Sequence, residues 1–455
     1  MKNILGIDLG TSSVKLIYDN GERVRKVKET YSQSTPFGWW QAICRCTKKL
    51  DLSEIRAIGL SSQVGTYVIN GKKGLSWNQP QGKEELDEIL ETVSREEFIR
   101  EIGMPHPKII SYPLPRLAYI KKHFPDAKKV CQPKDFLCEK LTGRYATDKF
   151  SWRGLANLES GKYSEKLLKA LGIECFELPT VYAPTDIIGK VTAEASEETG
   201  IPCGTPVCVG CNDFFAGLIG MGIIGEGDAF DITGTSEHLG LLTAAIPEND
   251  DSLVCGPYFT HNAHYGVTGS SGKSLDFGME LYDFKSINID NCLAKKSPIF
   301  LPYIDGERAP IWDKDARGVF FGIGVGCDKE ALAYSVLEGV CFSIYHVYET
   351  MGKPYIGSLT VSGGASKDEL MNKMKASLFN CPVCVPDETD SSAYGAMMLA
   401  AVSMGDYGDV DKAIKANCKK KLVALPDEEL GRKLCERFEI YKSLYPALRN
   451  NFGKL

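Results

Sequence analysis

Residues 3–12 read NILGIDLGTS, an apolar strand that ends on Asp8 and continues into a turn of glycine and hydroxyl side chains. Residues 228–236, DAFDITGTS, repeat this order with Asp231 at the end of the strand. The recurrence indicates that one strand-turn unit is duplicated, with one copy in each half of the chain. Around the two copies, strand-like runs such as IRAIGLSSQ alternate with helical runs such as PLPRLAYIKKHF, which predicts an α/β fold.

The segment IIGEGD at residues 223–228 is a glycine-rich break between a helix-like run and the next strand-like run. We place a domain boundary there, which gives the domains 1–225 and 226–455. Each domain is then long enough to bury a hydrophobic core of its own.

Composition excludes several classes of function. The 455 residues are 43% hydrophobic and 25% charged, with a net charge of -6, so no basic surface favours nucleic acid as a partner. The N-terminal apolar run is too short for a signal sequence or a membrane span, and we expect a cytoplasmic protein without a membrane partner.

The sixteen cysteines of the chain are expected to be reduced. The groups at Cys203, Cys208 and Cys211 and at Cys381 and Cys384 lie in strand-like runs, where no metal or redox site is expected.

A strand that ends in aspartate before a hydroxyl-rich turn suits a magnesium nucleotide. The carboxylate holds Mg²⁺ directly or through water, while backbone N–H groups and hydroxyls hold phosphate oxygens. A third turn, SGGAS at residues 362–366, would let a base or ribose approach the backbone because Gly363 and Gly364 carry no side chain. Asp213, between a strand and a helix, is either a helix cap or a general base for a substrate hydroxyl.

Residues 265–274, YGVTGSSGKS, come close to a phosphate-binding P-loop. That motif needs a glycine at position 267, where this chain has Val267, so the loop would not close around phosphates. We interpret the segment as a glycine and serine turn before a helix, with Lys273 as a residue at the helix start.

Six ordered segments together resemble the FGGY family of carbohydrate kinases, and within it the xylulokinase-like branch. They are GIDLGTSSVK, PKDFLCEKLTGRYATD, GCNDFFAGLIGMG, TGTSEHLGLL, FLPYIDGERAPIWDKDARGVFFGI, and LTVSGGAS with SSAYGAMMLAA. The stretch GERAP at residues 306–310 is the most specific, because the chaperone and filament proteins of the same superfamily do not carry it.

The resemblance implies two duplicated ribonuclease H-like domains, as in actin, sugar kinases and heat-shock ATPases, with an active-site cleft between them. Domain 1–225 would bind the sugar and carry the base, and domain 226–455 would bind the nucleotide. The implied reaction is phosphorylation of a hydroxyl of a small sugar or polyol by ATP with Mg²⁺, with a ketopentose such as xylulose favoured. Kinases of ribulose, glycerol, erythritol or gluconate, and a non-catalytic sugar- or nucleotide-binding relative, stay open as alternatives. A homodimer is compatible with the sequence.

The resemblance also implies site residues. They are the base Asp213; the magnesium ligand Asp8; the phosphate-contacting Thr11, Ser12, Gly234 and Thr235; the adenosine-side Gly363 and Gly364; and the substrate-side Gln63, Trp77 and Asn78.

Two segments depart from the family pattern. Residues 63–66 are QVGT where xylulokinases carry Gln-Met-His-Gly, and residues 77–81 are WNQPQ where they carry Trp-Asn-Asp-x-Arg. These changes remove polar groups that would bond substrate hydroxyls, so the identity of the sugar stays open.

Overall fold

The structure, a computed structural model, describes residues 1–31, 33–234, 236–246 and 252–455. The strands within these ranges are β1 (Ile4–Leu9), β2 (Ser13–Asp19), β3 (Val24–Thr30), β4 (Ala57–Ser62), β5 (Tyr67–Ile69), β6 (Lys73–Leu75), β7 (Val130–Cys131), β8 (Ala146–Asp148), β9 (Thr180–Tyr182), β10 (Ile187–Lys190), β11 (Pro206–Asn212), β12 (Ala229–Thr233), β13 (Glu237–Thr243), β14 (Val254–Tyr258), β15 (His261–Thr268), β16 (Ile299–Leu301), β17 (Val319–Phe321), β18 (Leu359–Gly363), β19 (Val383–Pro386) and β20 (Lys420–Ala424).

The α-helices of the same ranges are α1 (Pro36–Thr47), α2 (Lys83–Thr92), α3 (Arg95–Ile102), α4 (Pro113–His123), α5 (Pro133–Thr142), α6 (Glu165–Ala170), α7 (Ala193–Thr199), α8 (Asp213–Gly220), α9 (Gly272–Leu281), α10 (Ile289–Ala294), α11 (Lys329–Thr350), α12 (Glu369–Phe379), α13 (Ser391–Ser403), α14 (Val410–Asn417) and α15 (Glu428–Phe452). Among these described helices, none combines the length and the apolar character that crossing a bilayer requires.

The chain forms two compact units that do not divide it at a single point. The first unit holds Met1–Ile224 and Asp390–Cys418, and the second holds Gly225–Thr389 and Lys419–Leu455. The division drawn from the sequence at residue 225 lies at the first crossing between the units. It assigns residues 390–418 to the second domain, however, whereas they pack in the first unit.

The first unit is built on a six-stranded sheet with the order β10-β11-β4-β1-β2-β3. Strand β4 is parallel to β1 and to β11, whereas β2, β3 and β10 are antiparallel to their neighbours. Side chains of β1 alternate between the two faces of the sheet. Leu5 and Ile7 share a buried core with Trp39 of α1, which places Gly6 and Asp8 on the opposite face. Strands and helices alternate along the chain, which confirms the predicted α/β class.

Helix α13 covers the sheet face on which Gly6 lies. A Cβ atom at Gly6 would lie 2.0 Å from the carbonyl oxygen of Ala393, and one at Gly59 would lie 1.9 Å from that of Ala396. The helix backbone therefore lies directly against β1 and β4, which glycine allows and a larger residue would not. This contact explains why residues 390–418 belong to the first unit.

Strand β11 carries a one-residue bulge shortly before its end. Its register with the parallel strand β4 shifts by one residue between Cys208 and Cys211. Within the bulge, Gly210 has a φ of 66°, and a Cβ atom there would lie 1.7 Å from the carbonyl oxygen of Leu60. Because a one-residue shift turns the later side chains to the other face of a sheet, the bulge sets the face toward which Asp213 points.

The second unit is built on a seven-stranded sheet with the order β14-β15-β13-β12-β18-β19-β20. Strands β12, β18 and β19 are parallel, and the remaining pairs are antiparallel. The hairpin β12-β13 beside the parallel strand β18 repeats the arrangement of β1-β2 beside β4. Helices α11 and α15 contribute Leu337 and Phe438 to its buried core. The topology confirms the duplication predicted from the two Gly-Thr-Ser turns.

Candidate active site

Three parallel strands of the first unit, β1, β4 and β11, end side by side. Asp8 of β1 pairs with Ser61 of β4, and Asn212, the last residue of β11, pairs with Ser62. Asp213 follows at once as the first residue of α8. Because α/β sheets bind ligands at the carboxyl ends of their parallel strands, these three strand ends form the candidate active site of the first unit.

Asp8 is a buried carboxylate with one oxygen left for a ligand. Its Oδ1 accepts a 3.0 Å hydrogen bond from Ser61 Oγ, and within the described residues its Oδ2 accepts none. Burial raises the pKa of Asp8 to about 6, while the Ser61 bond and the charge of Lys15 act in the opposite direction. The described residues contain no cluster of three or more potential metal ligands. One carboxylate still fits Mg²⁺, which usually completes its shell with water and substrate phosphates.

Asp213 is a half-buried carboxylate that is not needed to cap its helix. The cap is Asn212, whose Oδ1 accepts a 3.0 Å hydrogen bond from Phe215 N, while Asp213 Oδ1 accepts one of 2.9 Å from Phe214 N. Burial, and after it the charge of Asp8, raises the pKa of Asp213 to about 8. A carboxylate whose pKa lies near the operating pH is suited to act as a general base.

A chain of hydrogen bonds links Gln63 to the first Gly-Thr-Ser turn. Thr66 Oγ1 donates to Gln63 Oε1 at 3.2 Å and accepts from Trp77 N at 3.1 Å. The indole Nε1 of Trp77 then donates to Thr11 Oγ1 at 3.1 Å. Gln63 is buried, and its Nε2 has no hydrogen-bond partner among the described residues. The structure therefore brings together two substrate-side residues and one phosphate-side residue of the prediction.

The other two predicted residues of this region, Asn78 and Ser12, have exposed side chains. Beneath Asn78, the fully buried Arg116 of α4 donates from Nη2 to three backbone carbonyl oxygens between residues 76 and 79. Its Nε and Nη1 atoms have no hydrogen-bond partner in the described part of the chain. No carboxylate among these residues therefore hydrogen-bonds this guanidinium, and its positive charge is not neutralised locally.

The hairpin β12-β13 has the same backbone arrangement as β1-β2, but its aspartate has a different partner. Asp231, the counterpart of Asp8, accepts a 2.5 Å hydrogen bond from Lys375 Nζ, and Glu237 accepts one of 2.7 Å from the same ammonium. All three side chains are buried. Burial raises the pKa of Asp231 and the charge of Glu237 adds to this, while Lys375 lowers it. Asp231 is engaged by a lysine, so Asp8 is the better candidate to hold a cation.

The predicted nucleotide residues of the second unit lie in two turns. Gly234 is exposed in the turn after β12, and Thr235 lies outside the described residues. Gly363, with a φ of 90°, pairs with Thr233, and a Cβ atom there would lie 1.9 Å from the Thr233 carbonyl oxygen. A Cβ atom at Gly364 would meet nothing within 4 Å. Gly363 is thus required by the sheet itself, whereas Gly364 leaves open space beside the backbone.

We expect alanine at these two glycines to separate folding from nucleotide binding. Gly364→Ala should unfold at the wild-type temperature and raise the KM for ATP about tenfold, because a methyl group would fill the space predicted for the nucleotide. Gly363→Ala should be destabilised by more than about 2 kcal/mol, because strain at positive φ adds to the backbone clash. Thermal unfolding and ATP titrations of both variants check this. An unchanged KM for ATP in Gly364→Ala would remove Gly364 from the site.

The segment that comes close to a P-loop is bonded to a carboxylate in the structure. Gly269 N and Ser270 Oγ donate to the buried side chain of Glu307, which belongs to the GERAP stretch. Because these two donors are already bonded to the Glu307 carboxylate, and because that carboxylate would repel a phosphate, the segment does not suit phosphate binding. Lys273 is the second residue of α9 and pairs with the exposed Asp305, which confirms it as a residue at the helix start.

Sequence reasoning missed four residues that shape these sites. Ser61 and Lys375 contact the two hairpin aspartates, Arg116 holds residues 76–79, and the hydroxyl of Tyr31 donates to the Gly10 carbonyl oxygen. Each is distant in sequence from the motif it contacts. Of the four, only Ser61 has a signal in the sequence, because it stands near the end of a strand-like run, as Asp8 does.

Comparison with solved structures defines the class of this fold. The chain superposes on a xylulose kinase from Lactobacillus acidophilus with a TM-score of 0.88 and 25% identity, covering 100% of both chains. The fold is that of the sugar kinases with two duplicated domains, which confirms the predicted architecture.

Family comparison then places the chain more narrowly. Residues 3–220 match the N-terminal domain of the FGGY family of carbohydrate kinases, and residues 232–404 match its C-terminal domain. The chain belongs to this family, and it is a carbohydrate kinase, a phosphotransferase with an alcohol group as acceptor. It is 27% identical to the xylulose kinase of Lactococcus lactis subsp. lactis (strain IL1403), covering 98% of this chain and 97% of the relative. It is 26% identical to the gluconokinase of Bacillus subtilis (strain 168), covering 99% and 97%.

Proposed function

We propose that this carbohydrate kinase transfers the γ-phosphate of ATP to a hydroxyl of a ketopentose, with xylulose as the first candidate. The observation that carries the proposal is the half-buried carboxylate of Asp213, whose pKa is raised to about 8 by burial and then by the charge of Asp8. Asn212 caps its helix in its place, so the carboxylate is available for proton transfer. The xylulose kinase that aligns along almost the whole chain supports the choice of acceptor.

Asp213 would take the proton from the attacking hydroxyl, which typically contributes a factor of about 10² to 10⁴ to the rate. Asp8, at the end of β1 on the other side of β4, would hold Mg²⁺ through its Oδ2 or through a water. Bound there with the nucleotide, Mg²⁺ would neutralise charge on the phosphoryl group during transfer. Such transfer depends mainly on positioning and electrostatics, so rigid strand ends suit these two carboxylates.

The remaining predicted residues divide by what they would contact. Gln63 supports a hydrogen bond to an acceptor oxygen, because its Nε2 is a buried donor without a partner in the described residues, and such a donor costs about 1–3 kcal/mol when left unpaired. Trp77 and Asn78 would contact the same acceptor. The phosphates would contact Thr11, Ser12, Gly234 and Thr235, and the adenosine would lie against the turn at Gly363 and Gly364.

We propose a cytoplasmic location, which the cysteines support. The sixteen cysteines all lie within the described residues, and none of them forms a disulfide there. Free thiols persist in a reducing compartment, which supports the expectation that the enzyme acts in the cytoplasm.

A second candidate acceptor is an aldonate such as gluconate. The gluconokinase of Bacillus subtilis supports this alternative.

We expect one acceptor to stimulate ADP release strongly when the protein is mixed with Mg-ATP. The panel contains xylulose, ribulose, gluconate, glycerol and erythritol, and a reaction without acceptor gives the background. Stimulation by xylulose supports the first proposal, and stimulation by gluconate replaces it with the second. ATP turnover that is equal with and without every acceptor would contradict both and would favour a role in binding.

A further inference from the structure

Arg116 is a buried cation that contacts backbone oxygens instead of a carboxylate. Its side chain is 0% exposed. Its Nη2 donates to the carbonyl oxygens of Ser76 at 3.2 Å, Trp77 at 3.1 Å and Gln79 at 2.8 Å. Burial lowers the pKa of this guanidinium, but arginine stays charged at neutral pH. Burying a charge without an opposite charge is costly, and an apolar side chain would fill the same space without that cost.

The three carbonyl oxygens belong to a segment without regular structure between strand β6 and helix α2. Inside the segment, Gln79 folds back on Ser76: Gln79 N donates to the Ser76 carbonyl oxygen at 3.2 Å, and Ser76 N donates to Gln79 Oε1 at 3.0 Å. Among the described residues no strand pairs with this segment, so the sheets do not fix its position. The guanidinium of Arg116 supplies the donors that fix this turn from within the unit.

The segment in turn places Trp77. Trp77 N donates to Thr66 Oγ1, and Trp77 Nε1 donates to Thr11 Oγ1, both at 3.1 Å. The side chain therefore joins the acceptor side of the site to the turn after β1. A displacement of the backbone at Trp77 by about 1 Å would break the bond to Thr11, because hydrogen bonds of this kind weaken steeply beyond their normal length.

We propose that Arg116 is a positioning residue of the acceptor side. It fixes residues 76–79 so that the Trp77 indole meets Thr11, and it acts on the reaction through Trp77. The proposal rests on the proposed kinase function, because Trp77 and Thr11 are assigned to acceptor and phosphate by that function. It explains why a charge is kept at a buried position that an apolar residue could fill.

The test is a double-mutant cycle of Arg116→Met and Trp77→Phe, with Arg116→Lys as the conservative variant. We expect Arg116→Met to lower kcat/KM for the acceptor at least tenfold while the KM for ATP stays within twofold. Arg116→Lys should restore part of the loss, because an ammonium can also donate to carbonyl oxygens. In the Trp77→Phe background, Arg116→Met should cost less than about threefold, because residues that act through one another are not additive.

The matched control is Arg56→Met in the same unit, which removes a guanidinium bonded to Asp406 and to the Lys2 carbonyl oxygen. Its acceptor kcat/KM should equal that of the wild type. A folded Arg116→Met with unchanged acceptor kcat/KM, an equal rise in both KM values, or fully additive losses in the cycle would each overturn the proposal. If Arg116→Met does not fold, Arg116→Gln replaces it under the same criteria, because its shorter side chain cannot reach all three carbonyl oxygens.

Hydrogen exchange separates failure of this proposal from failure of the proposed function. In Arg116→Met, or in its glutamine replacement, the amides of residues 77–81 should exchange at least tenfold faster, while those of β1 and β4 keep their rates. A wild type that phosphorylates no acceptor would contradict the kinase function and leave this result measurable. Unchanged exchange at residues 77–81 would overturn the role of Arg116 whatever the activity.

Discussion

Asp213→Asn is expected to abolish the stimulation of ADP release by the acceptor. The amide keeps the size of the side chain and can still accept from Phe214 N, which Asp213 does at 2.9 Å, but it cannot take a proton. We expect kcat to fall by about 10² to 10⁴ with the KM for ATP little changed, because the lost group acts in the transition state. Steady-state kinetics on the acceptor identified by the panel measures both constants.

The pH profile provides a second measurement on the same residue. A base acts in its deprotonated form, and burial with the charge of Asp8 raises the pKa of Asp213 to about 8. The wild-type kcat/KM for the acceptor should therefore rise with pH and level off above about 8, and this dependence should be missing in Asp213→Asn. Asp406→Asn, on the surface of the same unit, is the control and should keep both rate and profile. Equal rates for Asp213→Asn and the wild type would mean that Asp213 is not the base.

Gly210→Ala is expected to prevent the first unit from folding normally. A methyl group there would lie 1.7 Å from the Leu60 carbonyl oxygen, and the φ of 66° disfavours alanine by itself. Strain at positive φ alone costs about 1–2 kcal/mol, and the clash with a neighbouring strand adds to it. Losses above about 4 kcal/mol are exceptional for one substitution, and we expect one here, seen as a large drop in melting temperature or as insoluble protein.

The control for Gly210→Ala separates the two causes. Gly204 in the same unit has a φ of 87°, and a Cβ atom there would meet nothing within 4 Å. Gly204→Ala should therefore lose only the cost of the backbone conformation, about 1–2 kcal/mol. If both variants lose the same stability, the contact between the bulge and β4 is not what requires glycine, and the bulge would have to be held by other means.

Local patterns in the sequence predicted much of the architecture. The duplicated strand-turn unit, the long helix α11 and the small-residue helix α13 all have periodic or repeated signatures that depend on few distant contacts. The helical periodicity of residues 83–102 by itself predicts one continuous helix, but the structure has two, α2 and α3. Ser94 starts α3 by accepting a 3.3 Å hydrogen bond from Glu97 N, a capping pattern that can begin a new helix inside a periodic run.

The candidate site was predictable only where its residues lie in motifs. Asp8 and Asp213 stand at strand ends that the sequence marks, so their positions were expected. The bulge at Gly210 was not, because it depends on the register between β11 and β4, which no local pattern encodes. The lysine at position 375 and the arginine at 116 were missed for the same reason: each contacts a segment distant in sequence, and a buried charge has no periodic signature.

The position of helix α13 in the chain has a consequence for synthesis. Its backbone lies against Gly6 and Gly59 of the first unit, although it is translated after nearly the whole of the second. Domains that are continuous in sequence can fold one after another as they leave the ribosome. Here the first unit is incomplete until residues 390–418 have been synthesised, and until then α13 does not cover its face of the sheet. The rate of translation therefore sets how long that sheet face stays exposed, and chaperones can bind it during this time.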